Sequence, residues 1–299
     1  MQIAANGLSF EYESFGSPQD PVILLVMGLG MQLVMWPEAL CQRLVDKGFR
    51  VVRFDNRDIG LSARLDHLGM PNVAKEVMKY WLRLPLKSAY RIEDMAGDTE
   101  ALMDALGIAR AHVVGASMGG MIGQNLAARA PGKVASLVSL MSTTGARSLP
   151  SPRPRAYKAL LAPLPEPGNI EAAIVRMMKL LRAIGSVTYP AKDDYLRGIV
   201  ERHVRRSFNP AGASRQLLAI AASGDRTEVV RRIRAPTLVL HGDEDPLLRI
   251  ECGRATEHAI RAGGGEASMA TIRGMGHDLP VELLDELADR VAEHCRAHA

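Results

Sequence analysis

Gly115-Ala116-Ser117-Met118-Gly119 decides how the rest of the chain is read. An apolar run, Ala111 to Val114, leads into it, and a segment of helical character, Gly120 to Arg129, follows. Strand, Gly-x-Ser-x-Gly turn and helix together predict a nucleophile elbow, a turn sharp enough to lift the serine hydroxyl clear of its sheet. Glycine suits the flanks of such a turn, because a residue without Cβ accepts strained backbone angles and lets strand and helix approach. The Met118 amide then stands at a helix start, where backbone donors lack a partner within the helix. The five residues alone are a weak signal; the flanking strand and helix make it specific.

Working outward, Val22 to Met27 is a continuous apolar run, as a strand buried on both faces requires. Arg50 to Phe54 and Val134 to Met141 predict further strands, and the alternating Leu8 to Phe15 an antiparallel edge strand. Pro37 to Lys47 has helical spacing and stops at Gly48; Ile92 to Leu106 has it too, with acids in its first turn and Gly107 at its end. Past residue 236, strands are predicted at Thr237–Leu240 and Ser268–Ile272, with helices near Ile250–Ile260 and over Val281–Cys295. Alternating strand and helix predicts an α/β fold, a mostly parallel sheet with helices on both faces. The alternation is suspended between about Thr143 and Asp225. That span holds a Pro-rich stretch, Leu149 to Pro167, then two or three helical patterns, one of them carrying Met177 and Met178. It predicts a helical cap, residues 143–225, inserted into a core of 1–142 and 226–299. A smaller insertion, His67 to Ala89, places Val77, Met78, Tyr80, Trp81 and Leu84 near helical spacing.

The bulk composition narrows the function classes. A chain of 299 residues, 47% hydrophobic and 23% charged, is long enough for one large α/β domain. Pro21 to Trp36 is the longest apolar stretch, and Gly28, Gly30 and Gln32 break it, so it is too short to span a membrane. The opening Met1-Gln2-Ile3-Ala4 lacks a basic region before an apolar one, so no secretion signal is expected. Cys41, Cys252 and Cys295 are an odd, scattered set that reads as free thiols, and a cytoplasmic location is expected. Arg147 to Arg234 carries 17 Lys/Arg against 7 Asp/Glu. With aromatics at 4%, this reads as solvated helix faces and not as a nucleic-acid surface. Gly28-x-Gly30 begins a dinucleotide fingerprint, but Leu33 occupies its third glycine position. No cofactor, metal, nucleic acid or membrane partner is expected; a monomer or homodimer acting on a small molecule is.

A serine hydroxyl needs a base beside it, and the base needs an orienting carboxylate. With an elbow of this kind the chain order is serine, acid, histidine. The strand Thr237–Leu240 runs into His241-Gly242-Asp243-Glu244-Asp245-Pro246, and Ser268–Ile272 runs into Arg273-Gly274-Met275-Gly276-His277-Asp278. His277 alone among eight histidines lies in a Gly-rich loop after a late strand. Asp243, Glu244 and Asp245 are all candidate acids; Asp245, past the turn at Gly242, is favoured, leaving the others facing solvent. Two donors for the oxyanion are expected, the Met118 amide and one from Met27-Gly28-Leu29-Gly30, with Leu29 preferred and Gly30 second. Gly28, Gly30, Trp81 and Met177 are expected around the substrate. Methionine walls suit irregular apolar groups, although core packing explains methionines equally.

With these residues in hand, the chain resembles the α/β-hydrolase superfamily over nearly its whole length. The resemblance rests on the MGLG loop at Met27, on Phe54-Asp55-Asn56-Arg57-Asp58-Ile59-Gly60-Leu61-Ser62, on the elbow, and on the HGDED and GMGHDLP loops. Within the superfamily it looks most like small bacterial serine esterases similar to aclacinomycin methylesterase. The resemblance implies an eight-stranded sheet, a cap after the sixth strand, and a triad of Ser117, Asp245 and His277. The family's Gly-x-x-Asp pattern supports Asp245. Two departures stand out: Asp58 where the family loop has glycine, and Met27 where many members have histidine. The activity implied is carboxylic ester hydrolysis. A cofactor-free haloperoxidase or perhydrolase, or a carbon–carbon bond hydrolase, would use the same triad.

Overall fold

Continuous apolar runs make the middle of the sheet in this computed structural model, which describes residues 1–166 and 168–299. Pro167, the last residue of the Pro-rich stretch, lies outside the described residues. The strands are β1 (Gln2–Ala5), β2 (Leu8–Phe15), β3 (Val22–Val26), β4 (Arg50–Phe54), β5 (Ala111–Ala116), β6 (Val134–Leu140), β7 (Thr237–Gly242) and β8 (Ala267–Ile272). They form one sheet in the order β1-β2-β4-β3-β5-β6-β7-β8. β1 and β2 pair antiparallel, as do β2 and β4; every later pairing is parallel. All residues of β5, β6 and β7 are buried, which explains their largely apolar character; the polar exceptions are His112, Ser136, Ser139, Thr237 and His241. The α/β fold with its eight-stranded sheet is thus as expected; β1, too short to announce itself as a periodic run, takes the sheet edge, so Leu8–Phe15 is antiparallel as expected but lies one strand in from the edge.

The helices packed on the sheet are α1 (Glu38–Asp46), α3 (Ile92–Ala105), α4 (Met118–Arg129), α9 (Thr227–Val230), α10 (Ile250–Ala262) and α11 (Leu284–Ala297). α5 (Pro154–Leu160), α6 (Ile170–Ile184), α7 (Asp193–Arg206) and α8 (Pro210–Ser223) form an excursion between β6 and β7. α2 (Val73–Trp81) lies against α8, away from the sheet. On one sheet face Leu40 and Leu44 of α1 meet Leu284, Leu287 and Val291 of α11. On the other, Ile92, Met95 and Leu102 of α3 meet Ile122 and Leu126 of α4 and Ile260 of α10. The excursion has its own small core, Ala173, Ile174, Leu196, Val200 and Val204. Among the described residues no helix is long and apolar enough to cross a membrane.

Candidate active site

β5 ends at Ala116 and α4 begins at Met118, so Ser117 alone turns the corner, at φ 56° and ψ −117°. A residue with a Cβ rarely takes such angles, and here the surroundings enforce them. The Ser117 amide donates to the Leu140 carbonyl at 2.9 Å, and its own carbonyl accepts from the Gly120 amide at 3.0 Å and Ser142 Oγ at 2.7 Å. A Cβ at position 119 would lie 1.9 Å from the Val26 carbonyl oxygen, and one at 115 would lie 2.2 Å from that of Gly119. Only glycine lets β3, β5 and α4 converge at that distance.

The loops that carry Asp245 and His277 leave the carboxyl ends of the neighbouring strands β7 and β8. Asp245 and His277 are both buried. His277 Nδ1 lies 2.7 Å from Asp245 Oδ2, while Oδ1 accepts from the Leu247 and Leu248 amides at 2.8 and 2.9 Å. A carboxylate only accepts, so Nδ1 carries the proton and Nε2 keeps its lone pair. Burial opposes a charge on Asp245, but His277 beside it, the bond from His277 and the nearby His241 outweigh burial and hold its carboxyl well below the usual range. His241, at the end of β7, lies behind this pair: its Nε2 donates to the Leu248 carbonyl at 2.6 Å and stands 3.5 Å from Asp245 Oδ2. Sequence reasoning missed it, although its place four residues before the acid is a usable signal.

The other two acids differ from one another. Asp243 is exposed and accepts from the Gly274 amide at 2.7 Å. Glu244 does not simply face solvent as expected. Its carboxylate accepts from the Val187 and Thr188 amides and from Thr188 Oγ1, and these bonds lower its pKa. It ties the excursion to the acid loop, a partnership 56 or 57 residues away that no local pattern reveals.

Ser117 and His277 line one cavity of about 520 Å³. Among the described residues no hydrogen bond joins them. The walls are largely apolar, with Met27, Leu29, Met31, Met35, Met141 and Leu181 among them. Gly28 abuts the serine: a Cβ there would stand 3.2 Å from Ser117 Cβ. Among the described residues the Leu29 and Met118 amides meet no protein acceptor, whereas the Gly30 amide donates to Gln216 Oε1 at 2.9 Å. That bond removes Gly30 from the pair of candidate oxyanion donors. Gln216, on α8 and fully buried, also donates through Nε2 to the Arg57 carbonyl at 2.8 Å. It was not legible from sequence, because its partner Gly30 lies 186 residues away.

Trp81, Met177 and Gly30 do not line this cavity. Trp81 is 62% exposed, with its Nε1 3.4 Å from the Tyr157 hydroxyl. Met177 packs onto the excursion's own core. Helical spacing shows which residues share a face, but not what the face meets. Burial pushes the thiols up, to about 11 for Cys41 and Cys252 and about 12 for Cys295, which disfavours their nucleophilic thiolates.

Asp58 takes φ 69°, the conformation for which glycine is suited. Its carboxylate is gripped by Arg215 of α8, Nε to Oδ2 and a terminal nitrogen to Oδ1, both at 2.7 Å, and accepts from the Tyr90 hydroxyl at 3.0 Å. Arg206, the last residue of α7, donates to Asp55 Oδ2 at 2.6 Å, and Asp55 Oδ1 accepts from the Leu33 amide at 2.7 Å. The helical excursion is therefore rooted by buried charges in the loops beside Gly28 and Leu29.

A family model described as the alpha/beta hydrolase fold matches residues 21–260. The chain is 27% identical to rhodomycin D methylesterase of Streptomyces peucetius, over 95% of this chain and 94% of the relative. Among solved structures, an enol-lactonase from Burkholderia xenovorans superposes with a TM-score of 0.71 at 23% identity, covering 99% of this chain and 100% of its own. A meta-cleavage product hydrolase from Pseudomonas fluorescens gives 0.73 at 20% identity, covering 100% and 98%. At those identities the two structures speak for the shared fold.

Proposed function

This chain belongs to the alpha/beta hydrolase fold family, and from that premise we propose that it is a serine carboxylic ester hydrolase working through an acyl-enzyme. The observation that carries the reading is the hydrogen-bonded Asp245–His277 pair opening onto the same apolar cavity as the strained Ser117. Similarity to a methylesterase along almost the full chain supports it.

In this mechanism His277 Nε2 takes the Ser117 proton as Oγ attacks the ester carbonyl. Asp245 keeps the imidazole in the required tautomer and offsets the charge it gains. The Leu29 and Met118 amides receive the oxyanion, where preorganised donors in a low-dielectric cavity act most strongly. His277 then protonates the departing alcohol and activates water against the acyl-enzyme. Residues 143–225 serve as the cap over a core of 1–142 and 226–299.

A fluorophosphonate should label Ser117, and the adduct should map to the peptide that contains it. Ser117→Ala should lower kcat on an aryl ester by about 10⁴-fold or more. Activity within about tenfold of the parent chain would overturn the triad.

A further inference from the structure

Four charged residues line the cavity: Arg182, Lys192, Asp278 and Glu282. Arg182, Lys192 and Glu282 are exposed at its rim, and Arg182 is paired with Asp193. Asp278 is sheltered and follows His277 directly in the chain. Its Oδ1 accepts from the Ser186 amide at 3.1 Å and from Ser186 Oγ at 2.6 Å. Ser186 Oγ in turn accepts from the Gly276 amide at 2.7 Å, which fixes the carboxyl against the histidine loop. Oδ2 has no protein donor among the described residues, and it is not among the atoms sealed from solvent. Burial raises the Asp278 carboxyl above its ordinary range, with the Ser186 bonds opposing.

The hydrolytic cycle gives this group no part. An acceptor with one oxygen unmet, set in an otherwise apolar wall, favours a ligand that brings a donor to it. We propose that Asp278 is a specificity-determining residue that selects esters carrying a hydrogen-bond donor, hydroxyl or ammonium, close to the scissile carbonyl. This inference rests on the ester-hydrolase reading and names the substrate class for that same site.

The test uses binding, so that it does not depend on turnover. Matched esters are titrated calorimetrically into the Ser117→Ala protein: p-nitrophenyl butyrate against its 3-hydroxy and 3-amino counterparts, and ethyl benzoate against 2-hydroxyethyl benzoate. The hydroxy and amino arms separate a neutral donor from a cation, and the benzoates place a donor on the alcohol side. At least one donor-bearing ester should bind about 10- to 100-fold more tightly than its plain partner, the effect of one hydrogen bond to a charged acceptor. Adding Asp278→Asn keeps Oδ1 for Ser186 while replacing Oδ2 with a donor, and should bring that ratio to one or below. Ratios near one for every pair, or a ratio unmoved by Asp278→Asn, would overturn the proposal. Turnover of the plain esters by the unaltered chain, measured alongside, reports on the hydrolase reading by itself.

Discussion

Ser117 and Asp58 both sit at positive φ, at 56° and 69°, yet they are held there by opposite means. At the elbow the enforcing groups are backbone: carbonyls and amides of β3, β6 and α4, packed so closely that no Cβ fits at 115 or 119. At Asp58 a buried side-chain charge pair with Arg215, with exposures of 2% and 0%, joins the bonds to the Ala63 carbonyl and from the Leu65 amide. The first arrangement is written in a few adjacent residues. The second joins positions 157 residues apart and exists only once the chain has folded. Local geometry here fixes Ser117, and long-range electrostatics fix the attachment of the helices between β6 and β7.

The comparison can be pressed from its strongest consequence downward. Asp245→Asn should lower kcat by about 10⁴-fold, because an amide there favours the wrong histidine tautomer. Asp243→Asn should leave kcat near the parent value, since among the described residues its carboxylate meets only the Gly274 amide. Steady-state kinetics on an aryl ester checks both, and the reverse pattern would move the acid. Arg215→Met strands a buried carboxylate at Asp58 and should destabilise the fold by about 3–5 kcal/mol in urea unfolding. Combining it with Asp58→Gly removes the charge and the backbone strain together, and should recover most of that loss. If the double variant is no better than the single, the clamp is not electrostatic.

Acid should test both regions at once. His112 in β5 and His203 in α7 are buried, and burial pushes each down from 6.5 to about 4. Their folded-state values lie below their unfolded ones, so the unfolded chain takes protons first. Their contribution to stability is full above pH 6.5 and is lost as pH falls toward 4. Thermal unfolding across that window should show the decline, and His203→Gln should flatten part of it. A melting temperature independent of pH there would contradict the burial of both rings. The smallest effect belongs to Trp81→Ala: kcat/KM should be unchanged and stability should move by no more than about 0.5 kcal/mol.

Legibility followed the same division. The elbow, the strands flanking it and the Asp245 and His277 loops were readable because each is a local pattern of apolar run, glycine and polar residue at a strand end. Position 58 was readable as a departure from glycine, but not its reason, since Arg215 announces nothing in isolation. Gln216 at the Gly30 amide and Ser186 at Asp278 were invisible for the same cause. Trp81 and Met177 were misplaced because an amphipathic pattern does not say which surface it will face.

The cavity's methionines carry one more consequence. Met27 and Met141 are buried, while Met31 and Met35 are only partly so. Oxidation to the sulfoxide would set a polar oxygen on a wall built for hydrocarbon and stiffen a side chain whose value lies in its pliancy. The three cysteines, buried and held as thiols, offer an oxidant little. Under peroxide this cavity would therefore lose its hydrocarbon lining at Met31 and Met35 first, and sulfoxide reduction would restore it.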